Sequence, residues 1–137
     1  MIEPSVREVG GDVSWQIAHG LPLVQADHHS LLQVFLNLVR NSERAIKEAG
    51  QKHIGVEAGL ERDLVVVRFR DTGPGIANPD QLFRPFQPGA QSDGLGLYIS
   101  RAILRAGGGD LRYEPRPGGA CFVVELWPAE NTNMGSK

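Results

Sequence analysis

The chain has 137 residues, 41% of them hydrophobic and 22% charged, a balance that suits one globular domain large enough to bury a substantial core. Its 14 Lys and Arg against 16 Asp and Glu give a formal net charge of -2 without a dense basic run, so nucleic acid is not an expected partner. The single cysteine, Cys121, excludes an internal disulfide, and its apolar setting in "ACFVVELW" points to a buried, inert thiol. No stretch approaches the about 18 apolar residues of a membrane span, and the start lacks the apolar core of a signal peptide. A cytoplasmic location without direct membrane contact is therefore expected.

The elements follow in chain order. "DVSWQIAHG" alternates apolar and polar residues at Val13, Trp15 and Ile17, as a strand with one buried face does. "HHSLLQVFLNLVRNSERAIKEAG" places Leu31, Leu32, Phe35, Leu38, Val39 and Ile46 at helical spacing, with Asp27 as N-cap and Gly50 after the end. "HIGVEAGL" and the β-branched "DLVVVRFRD" read as two strands joined by a hairpin at "GLERD". The Gly and Pro density of "DTGPGIANPD" forbids regular structure, a short helical piece is expected in "PDQLFRPF", and "QPGAQSD" reads as a loop. "GLGLYISRAILRAGGG" is a glycine-rich turn feeding a helix stopped by Gly107 to Gly109. "DLRYEP" and "GACFVVELW" close the chain as an antiparallel pair around "RPGG". Together these predict an α+β domain, a mixed and mostly antiparallel sheet with helices on one face. The expected division is an N-terminal extension over 1–12, the domain over 13–127 and a disordered tail over 128–137.

Three segments carry candidate chemistry. In "NLVRNSERA", Asn37 and Asn41 lie four residues apart and so share a helix face, with Arg44 close to it. An amide oxygen is a hard neutral ligand suited to Mg²⁺, and an arginine one turn on can reach phosphates. An ordinary solvated helix edge would read the same. In "DTGPGI", Asp71 at a strand end followed by Gly73 and Gly75 could accept a hydrogen bond from an exocyclic amine such as that of adenine, or could simply open an Asp-initiated turn. In "DGLGL", Gly94 and Gly96 at the mouth of a helix would expose backbone N–H groups to a phosphate. The dinucleotide pattern GxGxxG is not met, because Ile99 stands where its last glycine would be.

Taken together, these segments resemble the ATP-binding catalytic domain of two-component sensor histidine kinases, the Bergerat-type fold shared with gyrase B, MutL and related ATPases. "LLQVFLNLVRNSERA" resembles the asparagine box, "DTGPGI" the first glycine box, "LFRPF" the phenylalanine box and "GLGLYISRAILRAGGG" the second glycine box with its following helix. The nitrogen-regulation and oxygen-sensing branch, with "QVxxNLxRN", is the nearest in pattern. The resemblance implies that Asn41 ligates Mg²⁺, that Asn37 stands beside it at the phosphate end, and that Arg44 takes the place of a phosphate-contacting lysine. Asn37, Asn41 and Arg44 are thus the expected catalytic set. It also implies that Asp71 binds the adenine amine, with Gly73, Gly75 and Ile76 shaping that wall. Gly94 and Gly96, with Leu95 between them, would let backbone amides meet the phosphates, with Leu97 behind them, and Phe83 and Phe86 would anchor a lid. That lid, "QPGAQSD", has no basic residue and is one residue shorter than in relatives. Ala45 stands where some relatives stack an aromatic residue on the base. His28 and His29 do not resemble a phosphoacceptor motif and are expected as exposed cap residues, with Trp15 and Trp127 packing at the sheet.

The implied function is transfer of the ATP γ-phosphoryl to a histidine on a separate dimerisation domain, and from there to a response regulator, with Mg²⁺ as cofactor and the isolated domain monomeric. A serine-directed kinase of the anti-sigma type stays open as an alternative, as does a degenerate nucleotide-binding scaffold. A DNA-linked ATPase is less well matched, because such relatives place a glutamate base where Asn37 stands.

Overall fold

The computed structural model describes residues 10–47, 49–75, 82–84 and 96–129. Strands β1 (Asp12–Ile17), β2 (His53–Glu61), β3 (Leu64–Asp71), β4 (Asp110–Arg116) and β5 (Gly119–Leu126) form one sheet in the order β1-β2-β3-β5-β4. The pair β1–β2 is parallel and the other three pairs are antiparallel. Helices α1 (His28–Ile46) and α2 (Gly96–Ala106) pack on the same face, where Val34, Leu38, Ile46 and Leu104 meet Ile54, Phe69, Phe122 and Val124 in one core. The mixed α+β sheet with helices on one face is the architecture expected from the sequence.

Local chemistry sets the ends of the elements. Asp27 caps α1, its Oδ2 accepting from Ser30 N and Ser30 Oγ at 2.9 Å each. The helix ends at Ile46 rather than beside Gly50, and Ala49 N turns back to Ile46 O at 3.0 Å. The β2–β3 hairpin turns on Arg62 and Asp63, with φ of 51° and 71°, the two-residue turn whose twist matches that of the strands. After α2, Gly107 and Gly109 N–H groups return to Leu104 O, and Gly108 takes a φ of 88° that only glycine adopts without strain.

The opposite face is a lattice of charge over a thin apolar strip of Val66, Cys121 and Val123. Arg68 binds Glu61 and, at 3.1 Å, Glu114; Arg112 binds Glu114 at 2.7 Å and Glu125 at 2.8 Å; Arg70 binds Glu57. Cys121 is 2% exposed and burial pushes its thiol pKa up, as an inert cysteine requires.

Three expectations are corrected. Trp15 and Ile17 share the core-facing side of β1 with Val13 but are 46% and 54% exposed, because the helices sit over the sheet centre and do not reach this edge. Trp127 is also half-exposed, its Nε1 donating to Gly108 O at 2.8 Å, so it braces the glycine stop. The expected tail starts too early, since Pro128 bridges Val24 and Ala129 N bonds Leu23 O at 2.7 Å. Of the helical piece expected over 79–86 only residues 82–84 are described, and they form a turn. The extension up to residue 9, the loop 87–93 and the tail from 130 lie outside the described residues.

Arg68, followed by Arg112, holds the Glu114 carboxyl down to about 2, below its usual 4.5. A depressed carboxyl contributes stability above its unfolded pKa and loses it as pH falls through the folded value. Glu114→Gln should therefore be slightly less stable than the parent at pH 6, by about 1 kcal/mol or less because the pair is partly solvated. The gap should close between pH 4.5 and about 2 in urea-unfolding series.

Candidate functional site

The second half of α1 forms the spine of the site. Its last turn meets the loop after β3 so closely that a Cβ on Gly73 would lie 2.7 Å from Ala45 O and 2.8 Å from Ala45 Cβ. Only glycine permits that approach. Gly75, with φ of 83°, faces Gly119 O, and a Cβ on Gly119 would lie 1.8 Å from Asp71 O. Thr72 ties the same loop to the chain ahead of β2, donating to Gln51 O at 2.6 Å and accepting from His53 N at 3.0 Å.

Asp71 ends β3 at this junction and is 2% exposed. Its Oδ1 accepts from Gly73 N at 2.9 Å and Ala120 N at 3.3 Å. The Asp-initiated turn weighed in the sequence thus exists, but a turn of that kind needs no burial. Burial is what raises the Asp71 pKa, against the lowering effect of the Gly73 and Ala120 N–H groups, the Ser42 hydroxyl and Arg116. Ser42 is itself fully buried one helical turn before Ile46. Both backbone hydrogen bonds to the carboxylate fall on Oδ1, and a carboxylate oxygen accepts more than one donor.

Asn41 and Arg44 are joined on the helix surface, Arg44 Nη2 donating to Asn41 Oδ1 at 3.3 Å. One turn earlier, Asn37 Nδ2 donates to Ser100 Oγ at 3.1 Å, across to α2. Gly96 and Leu97 form the first turn of α2, with Leu97 against the core. Phe83 packs on the same core, and the Arg101 guanidinium lies 4.3 Å from its ring centroid. Ile76, Phe86, Gly94 and Leu95 lie outside the described residues. His28 and His29 are exposed on the first turn of α1, about 24 Å along the helix from Arg44 at 1.5 Å per residue.

Among the described residues no three His, Cys, Asp or Glu side chains converge to cage a metal. The donor type that is present, the Asn41 amide oxygen with a guanidinium beside it, fits a hard cation that arrives with phosphates and water supplying its other ligands. Depressions of about 390 Å³ beside Arg68 and about 260 Å³ beside Trp127 are lined by neither Asp71 nor Asn41. Sequence reasoning missed Ser42, Ser100, Arg101 and Gly119. A signal existed for the two serines, since each interrupts an apolar helical row, Leu38–Ser42–Ile46 and Leu97–Ser100–Leu104.

For a carboxyl whose pKa is raised by folding, the favourable contribution is present below the unfolded value, 3.8, and is lost as pH rises through the folded one. Asp71→Asn keeps an acceptor for Gly73 and Ala120 without a buried charge. It should be at least as stable as the parent at pH 7, with the parent gaining on it as pH falls towards 3.8, in denaturant unfolding at successive pH values.

Comparison with known proteins shows the family. Residues 26–130 match the family described as histidine kinase-, DNA gyrase B- and HSP90-like ATPase. The chain is 33% identical over 135 residues to the sensor protein KdpD of Escherichia coli, covering 92% of this chain and 14% of that protein. It is 35% identical over 116 residues to the sensor protein kinase PilS of Pseudomonas aeruginosa, covering 80% of this chain and 22% of that protein. The chain thus spans under a quarter of these relatives. The catalytic domain of the histidine kinase ThkA superposes with a TM-score of 0.82 at 29% identity, over 93% of this chain and 85% of that one. Full-length ShkA in complex with AMPPNP superposes with a TM-score of 0.80 at 28% identity, over 93% of this chain and 28% of that one. The chain belongs to the histidine kinase-, DNA gyrase B- and HSP90-like ATPase family, and it is built as the catalytic domain of a sensor histidine kinase.

Proposed function

We propose that residues 13–127 bind MgATP and deliver its γ-phosphoryl to a histidine on a separate dimerisation domain of a longer kinase. The observation that carries this reading is the buried Asp71 carboxylate, held at the strand end against the last turn of α1 by the Gly73 contact. Asp71 accepts the adenine exocyclic amine, with Gly73, Gly75 and Ile76 forming that wall of the base pocket. Asn41 holds Mg²⁺, which when bound neutralises charge on the phosphates. Arg44 turns from Asn41 to the phosphates, Asn37 stands beside them, and backbone N–H groups around Gly94, Leu95 and Gly96 take the remaining oxygens, with Leu97 behind them. Phe83 and Phe86 anchor the lid, Phe83 being fixed by Arg101.

Phosphoryl transfer depends mainly on positioning and charge neutralisation, which these groups supply. The attacking imidazole and any assisting base belong to the dimerisation domain, so this chain alone should bind nucleotide and turn it over slowly. The solved complex of ThkA with the response regulator TrrA supports a response regulator as the eventual acceptor here. No helix among the described residues is long and apolar enough to cross a membrane. A cytoplasmic domain is proposed on its composition and charge, and a monomeric one because dimerisation belongs to the separate domain. The word "QVFLNLVRN" supports placing the parent near the nitrogen-regulation and oxygen-sensing kinases. The lid without a basic residue supports a second reading, a scaffold that binds a partner without catalysis.

Calorimetric titration of the chain with ATP and ADP, with and without Mg²⁺ and with GTP as control, decides between these. Saturable, Mg²⁺-responsive binding that prefers adenine is expected, and Asp71→Asn should weaken it by about 10-fold or more, the cost of losing a hydrogen bond to a charged group. Absence of binding at millimolar nucleotide would sink the kinase reading and leave the scaffold. Asn41→Ala should remove most of the response to Mg²⁺ while leaving Mg²⁺-free ADP binding near the parent value.

A further inference from the structure

Ser100 occupies a position on α2 where the helical pattern calls for an apolar side chain. It is fully buried between Leu97 and Leu104, both of which face the core. Burying a hydroxyl without a partner costs about 1 to 3 kcal/mol, and an alanine there would carry no such cost. What offsets it is the hydrogen bond from Asn37 Nδ2 at 3.1 Å. The pair is a polar contact between the two helices, and a buried polar pair helps fix the register of the elements it joins.

The bond also fixes the Asn37 side chain. A carboxamide held through its nitrogen has its oxygen on the other side of the group, away from Ser100, and can no longer rotate freely. Ser100 stands four residues after Gly96, the first residue of α2, so it lies one turn from the N–H groups that open this helix without partners inside it. Asn41 lies one turn from Asn37 along α1. A single bond thus joins the two helices one turn from Asn41 on α1 and one turn from the first residue of α2.

We propose that Ser100 is a positioning residue for the phosphate end of the site. Through Asn37 it sets the separation of α1 from the start of α2, so that one polyphosphate can engage both. The proposal rests on the reading of this site as a nucleotide pocket and assigns it a specific support for phosphates as opposed to base.

The test compares two ligands on the same variants, MgATP by calorimetry and adenosine by NMR titration. Ser100→Ala should weaken MgATP by about 2- to 10-fold, the effect of one neutral hydrogen bond, and leave adenosine at the parent value. Asn37→Ala should do the same, and the double variant should be no weaker than Asn37→Ala alone. The Asn37 side-chain amide protons should exchange with solvent faster in Ser100→Ala. Equal loss of both ligands would mark a general packing defect and overturn the proposal, as would MgATP affinity unchanged by Ser100→Ala. If the parent binds neither ligand, or Asp71→Asn does not weaken adenosine, it is the pocket itself that has been misplaced, and the proposal falls with it.

Discussion

The domain depends on one close junction, where the end of β3, the start of β5 and the last turn of α1 converge on Asp71. A carboxylate at 2% exposure is expensive to hold, and the fold holds it with two backbone N–H groups, a buried serine and three glycines that let the chains approach. Each of these features alone has a purely structural reading. Their convergence on one carboxylate whose pKa is raised by burial is costly for stability, and such costs are characteristic of sites that must meet a ligand. The same junction sets the depth of α1, since moving the helix outward would open the contact between Ala45 and Gly73.

The rest of the molecule distributes its polarity accordingly. One sheet face is committed to the helices and the core. The other is closed by an Arg–Glu lattice in which arginines meet carboxylates on their own strand and across the sheet. These pairs are partly exposed, so their contribution is modest, but they cover the strip of Val66, Cys121 and Val123 with the stems of long side chains.

Much of this was legible in the sequence because short-range rules decide it. Asp27 before an apolar heptad-like row specified the start of α1, and the glycines after α2 specified its stop. The β-branched run in β3 could be little but an inner strand. Asp71, Asn41 and Arg44 were legible as candidates because their side-chain types sit at element ends or on one helix face. Long-range facts were not legible. Nothing local reveals that β1 lies parallel to β2 at an edge the helices do not reach, so Trp15 and Ile17 were expected to be covered. The partner of Asn37 was equally hidden, because Ser100 is 63 residues away and its only trace is a hydroxyl in an apolar row. The short piece around Phe83 has too few residues for periodicity to distinguish a turn from a helix.

The parallel pairing of β1 with β2 has a mechanical consequence. Parallel neighbours cannot be joined by a tight turn, so the chain between Ile17 and His53 must cross back over the sheet, and α1 is that crossover. The helix bearing Asn37, Asn41 and Arg44 is therefore tethered at both ends to adjacent strands of one sheet. Its position is tied to the ladder between them. Within this domain α1 acts as the fixed wall of the site.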